Sequence, residues 1–157
     1  MTDNSTGLNL LSGYRIDPRW LNRDLYHQAV SVRPRFQDLD PLNQVNNVAM
    51  AALFEDARVQ FNHPMRKHFQ TKTVRTMVAG QTLNYINECH LRPALTFHMG
   101  IGKIGTSSWV MQACAYQDET PVLLAIATMV ATQGGKACPI PETLHAMISE
   151  RRMLVPE

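Results

Sequence analysis

The 157-residue sequence has only three cysteines, Cys89, Cys114 and Cys138. An odd number at long spacings indicates neither a disulfide framework nor a zinc motif. Each lies in or beside an apolar run, so they read as free thiols packed as small hydrophobes in a reducing compartment. His63 and His68 are five apart, off the i, i+4 spacing of a helical metal pair, and no metal is expected. Basic residues are scattered and the formal net charge is only +2, which makes no case for a nucleic-acid partner. Long hydrophobic runs are missing too: the longest, Val122 to Ala131, is about half of what a membrane-spanning helix requires. The start, Met-Thr-Asp-Asn-Ser-Thr-Gly, lacks the basic and apolar regions of a secretory signal. A soluble, cytoplasmic protein with no membrane partner is expected. Gly100-Ile-Gly-Lys-Ile-Gly105 lacks the strand-then-helix setting that would make it a phosphate loop, and no serine stands in a nucleophile elbow.

What is present is the composition of an ordinary globular domain, 45% hydrophobic and 18% charged, in a chain long enough to bury a core. Residues 1–21 read as an N-terminal arm. Within it Asp17-Pro18-Arg19-Trp20-Leu21 offers an N-cap aspartate with proline at the first helical position, and Trp20 is expected to pack that turn onto the domain. Residues 22–157 read as the domain itself. Leu25 to Phe36 alternates loosely and reads as a first strand, with Pro34 marking an edge or bulge. From Asn47 to about Phe69 the sequence is helical. Its apolar set is broad (Val48, Ala49, Met50, Ala51, Ala52, Leu53, Phe54, Ala57, Val59, Phe61), which predicts a buried helix. Asp56, Gln60, His63 and Lys67 form one solvated face, and Pro64 kinks or ends the helix near residue 63.

Strand texture follows. Thr76 to Leu91, Thr96 to Gly105, Ser107 to Gln117 and Val122 to Thr132 read as four successive strands. Turns are expected at Gly105-Thr-Ser-Ser108 and Asp118-Glu-Thr-Pro121, with a stop at Gly134-Gly135. The last strand is almost wholly apolar, as for a strand covered on both faces. Pro141 to about Met153 reads as a short amphipathic helix. One helix on a face of sequential antiparallel strands is an α+β domain. Its exposed sheet edges are naturally cured by pairing in a homodimer.

The chain is organised around Arg35 to Arg58. A strand breaks at Asp38-Leu-Asp40-Pro41, where proline starts a turn, and Asn46 and Asn47, both good N-cap types, stand before the long helix. A carboxylate is thereby held beside a helix N-terminus with unpaired N–H groups and partial positive charge, the pairing that acyl transfer needs. Asp38 and Asp40 are equally readable as turn and capping residues. Glu55 lies two turns into the helix, where it either lines a pocket or pairs with Arg58 at i+3.

The stretch Arg35-Phe-Gln-Asp-Leu-Asp-Pro-Leu-Asn-Gln-Val-Asn-Asn, continued by Phe54-Glu-Asp-Ala-Arg58, resembles the signature of the 4-hydroxybenzoyl-CoA thioesterase family of hotdog-fold acyl-CoA thioesterases. Asn84-Tyr-Ile-Asn-Glu-Cys-His-Leu-Arg-Pro93, Ile104-Gly-Thr-Ser-Ser108 and Ile140-Pro-Glu142 are similar to later parts of it, so the resemblance runs roughly from Leu25 to Ile148. It implies a hotdog fold, an antiparallel sheet of about five strands wrapped around a central helix, in a homodimer or dimer of dimers. It also implies hydrolysis of an acyl- or aryl-CoA thioester, with no cofactor beyond the coenzyme A of the substrate. By position, Asp40 corresponds to the catalytic aspartate, as nucleophile or general base. The Asn47 N–H corresponds to the oxyanion donor, an effect of roughly 3–4 kcal/mol in well-studied cases. Gln44 would position water. Asn43, Asn46, Met50, Glu55, His90, Thr106, Ser107 and Ser108 would contact substrate, the last three through its pantetheine arm or phosphates. The sequence departs from the family at Asn43-Gln44, where a glycine followed by histidine or isoleucine is usual, at Met50 and His90, where tyrosine is frequent, and at Ala94-Leu95-Thr96, where Gly-Asp is usual. A non-catalytic acyl-CoA-binding module and an acyl-CoA hydratase or dehydratase are the alternative readings on the same scaffold.

Overall fold

The computed structural model describes residues 17–157; the part of the expected arm before Asp17 lies outside the described residues. Pro18–Leu21 forms the expected short turn, a 3-10 helix capped by the Asp17 side chain. A second 3-10 turn, Arg23–Leu25, leads into β1 (Gln28–Val32). There follow α1 (Asn47–Asn62), a short α2 (Arg66–Phe69), β2 (Arg75–Tyr85), β3 (Leu95–Ile104), β4 (Ser108–Gln117), β5 (Thr120–Gln133), β6 (Lys136–Ala137) and α3 (Glu142–Ser149). All strands pair antiparallel, in the order β1-β3-β4-β5-β2, and β6 folds back on β5. The β4–β5 hairpin turns at Asp118, with φ of 50°. The β5–β6 turn needs two successive positive-φ residues and has them in Gly134 and Gly135, at 59° and 76°. Curled around α1, this is a hotdog fold.

One face of the sheet packs on α1. Met50, Leu53, Phe54, Ala57 and Phe61, at helical spacing, meet Phe97, Met99, Ile101, Met111, Ala113 and Ala115 from alternate positions of β3 and β4. Phe54 stacks on Phe97 with ring centroids 6.2 Å apart. Each large apolar side chain buried this way contributes roughly 1.5–3 kcal/mol. The helix ends at Asn62, where Pro64 follows in a 3-10 turn. It is not apolar-buried all round, as its composition predicts: Val48 and Val59 are 79% and 63% exposed. The sequence breadth comes from two apolar stripes, and only one meets this sheet.

The other face carries a second cluster, in which Cys114, Tyr116 and Leu124 pack under Trp20, Leu25 and Tyr26. Trp20 is thus buried as expected. The C-terminal stretch crosses this face, with Met153 N–H donating to the Ile101 carbonyl at 2.9 Å and Leu154 N–H to the Leu25 carbonyl at 2.7 Å. Expected strand bounds shift in two places that matter. β1 is shorter than read, and β2 stops at Tyr85, leaving residues 86–94 as a loop beside the N-terminus of α1. β5 is covered on both faces only over Val122–Ala125 and alternates beyond that. β2 is an edge strand, with Met77 and Val78 exposed.

Candidate active site at the start of the central helix

Residues 38–46 form a tight loop closed by a bridge between Leu39 and Val45. Asp40 N–H donates to the Gln44 carbonyl at 2.8 Å, and Asn43 N–H to the Asp40 carbonyl at 3.0 Å. The turn requires a left-handed residue at 43, and Asn43 supplies it with φ of 60°. Asparagine tolerates this region where most side chains do not, so the loop keeps its shape without glycine. The Asp40 Oδ1 atom accepts two backbone N–H groups, from Leu42 at 2.8 Å and Gln44 at 3.1 Å. Oδ2 has no partner among the described residues. Asp38 is committed elsewhere: its carboxylate accepts from the Arg35 backbone and guanidinium, and its carbonyl takes the Asn46 N–H.

Asn46 is the N-cap of α1. Its Oδ1 accepts the N–H groups of Val48 (2.7 Å) and Ala49 (3.2 Å), and its carbonyl accepts that of Met50. Of the first-turn N–H groups, only that of Asn47 has no acceptor among the described residues. The helix therefore presents one free donor, with the partial positive charge of its N-terminus behind it.

Asn47 itself lines a cavity of about 610 Å³ between the start of α1 and the 86–94 loop. Of the residues expected from the sequence, Gln44, Asn47, Met50 and His90 line it. Asp40, Asn43 and Asn46 belong to the loop and cap beside it. Glu55 is exposed on α1, with no ion pair to Arg58 among the described residues. Arg58 instead is buried, donates to Gln81 Oε1 at 2.8 Å and lies over the Phe54 ring. Burial pulls its guanidinium below the ordinary value, partly offset by the Glu55 charge.

Thr106, Ser107 and Ser108 sit at the other end of the sheet. Ser108 pairs with Val130, whereas Tyr85 beside the cavity pairs with Leu123, seven positions away along β5. At about 3.4 Å per residue that separation exceeds 20 Å. Within one protomer these residues do not share a site.

The cavity also contains residues that sequence reasoning did not single out. Tyr85 donates its hydroxyl to the Asn47 carbonyl at 3.3 Å, and Glu88 lies 3.8 Å from His90 Nε2. Reading Thr76 to Leu91 as one strand hid them; Asn87, a strand-breaking type inside that span, was the available signal. Cys89 lines the cavity, and burial pushes its thiol up to about 12, which disfavours the thiolate a nucleophile needs. The His90 backbone is fixed by Gln117, whose Oε1 accepts the His90 N–H and whose amide donates to the His90 and Pro93 carbonyls.

A family model described as the Thioesterase-like superfamily matches residues 34–148. The chain belongs to the Thioesterase-like superfamily. The matched span holds the loop, the helix, the cavity and all five strands after β1. No curated protein matches the chain significantly. Solved structures with the same fold include a thioesterase superfamily protein from Jannaschia sp. CCS1, 19% identical with a TM-score of 0.74, covering 80% of this chain and 93% of its own. A thioesterase from Thermus thermophilus, solved as a complex with coenzyme A and zinc, is 23% identical with a TM-score of 0.71, over 81% and 95%. The PA5185 protein of Pseudomonas aeruginosa strain PAO1 is 16% identical with a TM-score of 0.72, over 83% and 95%. At these identities the likeness is one of fold. Among the described residues no helix of this superfamily member is long and apolar enough to cross a membrane, and no cluster of ligating side chains could hold a metal ion.

Proposed function

We propose that this member of the Thioesterase-like superfamily hydrolyses acyl-CoA or aryl-CoA thioesters to a free acid and coenzyme A. The observation that carries the reading is the division of hydrogen bonds at the start of α1: among the described residues every first-turn N–H is claimed except that of Asn47, a residue that lines the cavity. A thioester carbonyl oxygen seated there would gain that donor as negative charge develops on it. Asp40 Oδ2 would attack the thioester carbon, breaking the C–S bond and expelling coenzyme A as its thiolate, to give a mixed anhydride that water then opens to free acid and the Asp40 carboxylate, or would take a proton from an attacking water held by Gln44. Attack, oxyanion stabilisation and water all come without a cofactor. The left-handed Asn43 keeps the loop that a glycine makes in similar proteins, which supports hydrolysis over a silent binding module.

The proposed assembly is a homodimer joined through the β2 edges, with the second apolar stripe of α1 (Val48, Ala52, Val59) buried alongside. Antiparallel pairing of β2 with its copy would bring the partner's Arg75 end, and with it the partner's Thr106–Ser108 turn, to the Tyr85 end of this protomer. That would reunite residues lying at opposite ends of one sheet, and assign Thr106, Ser107 and Ser108 to the coenzyme A of the other subunit's substrate.

Asp40→Asn tests the chemistry. Asparagine Oδ1 can still accept from Leu42 and Gln44, so the loop is kept and only the carboxylate is lost. With a panel of acyl- and aryl-CoAs, coenzyme A release is expected to fall by about 100-fold or more. A mutant retaining most of the rate would reject the assignment. One observation favours a second reading: His90 and Glu88 share the cavity, and a histidine with a carboxylate suits a hydratase. Hydration of an enoyl-CoA without release of coenzyme A would establish that activity instead.

A further inference from the structure

Of the charged side chains of α1, Glu55 and Asp56 are exposed, whereas Arg58 is only 6% exposed. Arg58 is poorly matched where it lies. It stacks on the Phe54 ring, and its hydrogen bond among the described residues goes to a neutral acceptor, Gln81 Oε1. No carboxylate stands within ion-pair distance of it among those residues. One neutral hydrogen bond does not offset the desolvation of a cation, and buried charges are ordinarily paired. The guanidinium nitrogens that do not meet Gln81 still reach solvent, so the tip opens on the seam between α1 and β2.

Glu55 presents the converse problem. It stands within the stripe of Val48, Ala52 and Val59, whose members are apolar and exposed. Its carboxylate has no ion-pair partner among the described residues. The dimer proposed above buries this stripe, and Glu55 with it, and a carboxylate buried without a cation is costly. Position brings the two deficits together. Gln81, which holds Arg58, is next to Gly80 at the middle of β2 (Arg75–Tyr85), and Glu55 is at the middle of α1 (Asn47–Asn62). Pairing the full length of β2 with an antiparallel copy puts the two-fold axis at that middle. Across such an axis each contact occurs twice, with the roles of the two copies exchanged.

We propose that the α1–β2 face receives a second copy of this chain through two reciprocal ion pairs, Glu55 of each protomer with the partner's Arg58. Each residue supplies what the other lacks, so the face is complementary to itself in charge as well as in its apolar stripe. The pairing rests on the proposed dimer and is independent of the hydrolytic chemistry.

The experiment is sedimentation velocity over a dilution series of the full chain and of charge variants, with circular dichroism to verify folding. Wild type is expected to sediment as a dimer. Glu55→Gln is expected to raise the dimer Kd by about tenfold or more, and Glu55→Lys, which sets a second cation beside the partner's Arg58, by about 100-fold or more. Arg58→Glu alone is expected to dissociate in the same way. Mixed in equal amounts, the Glu55→Lys and Arg58→Glu proteins are expected to form dimers again, because both contacts across the axis then join opposite charges. A pairing of these residues inside one protomer does not predict that rescue. An unchanged Kd in Glu55→Lys overturns the proposal and leaves the dimer standing, and so does a failure of the two folded variants to rescue each other. Wild type with the mass of one protomer at every concentration overturns the dimer and the pairing together. Should the Arg58→Glu protein not fold, the two Glu55 variants decide alone, since Glu55 is exposed in the protomer.

Discussion

The Asp38 carboxylate is 5% exposed, takes the Arg35 N–H at 2.7 Å and faces the Arg35 guanidinium at 3.1 Å. Burial pushes this carboxyl up, but the hydrogen bonds from the Arg35 side chain and backbone, together with its charge, outweigh burial and hold it below the ordinary value. A depressed value in the fold means stability that is present above the ordinary carboxylate range and lost as pH falls through the depressed value. Asp38→Asn is therefore expected to lower the melting temperature at pH 7, and the gap from wild type to close as pH falls below the ordinary carboxylate range. Thermal melts of both proteins across this range check it; a gap independent of pH would mean the ion pair contributes nothing. Two positions along, Asp40 keeps one oxygen uncommitted. Residue types alone left the two aspartates equivalent, because both suit a turn. Only the resemblance singled out Asp40, and the hydrogen bonds show the physical difference between them. Asn46 and Asn47 were likewise legible as a pair, but which one caps depends on a backbone angle no sequence displays.

At the scale of elements, α1 and the strands after it were readable because their periodicities are strong. The end of β2 was not. Asn84 to Leu91 continues an acceptable strand pattern, yet the chain leaves the sheet after Ile86, whose N–H still reaches the Val122 carbonyl, because the loop finds better partners elsewhere. Val45 N–H donates to the Cys89 carbonyl at 2.7 Å, and Gln117 binds the His90 backbone from both sides. These are contacts between segments distant in sequence, outside the reach of local pattern. Gln117→Leu would take a partner from the part-buried His90 N–H and from the His90 and Pro93 carbonyls, a loss of roughly 1 kcal/mol per hydrogen bond. Urea unfolding is expected to show the drop, and the loosened 86–94 loop to raise KM for an acyl-CoA more than it lowers kcat. Unchanged stability and unchanged KM would show that the loop holds its place without this side chain.

Across the described residues as a whole, the β2 edge of the sheet is exposed and one apolar stripe of the helix has no partner among them. Val48, Ala52, Glu55 and Val59 recur at helical spacing on the exposed side of α1, and the Arg58–Gln81 hydrogen bond sets that helix beside β2. Met77→Lys combined with Val59→Lys is expected to shift the proposed dimer to a 17.7 kDa protomer by light scattering. A wild-type mass already at that value would remove the basis for a site shared between subunits. The α+β class, the wrapped helix and the exposed edge were visible beforehand because alternation and helical period set them. The cover of the outer face was visible in part, through Trp20 and the apolar β5; the crossing of the C-terminal stretch was not, since Met153 lies far in sequence from Trp20 and Tyr26.

The position of β5 has a consequence for the time scale on which the protein opens. It is hydrogen-bonded to β4 on one side and β2 on the other over residues 123–130, so its amide protons are released to solvent only when the sheet itself comes apart. Half the amides of β2 point away from the sheet, and in a lone protomer they would trade their protons for deuterium at once. The contrast between these neighbouring strands is a built-in clock. Slow exchange along β5 reports the stability of the fold, while protection along the outer side of β2 would report how long the two copies of the proposed dimer stay together.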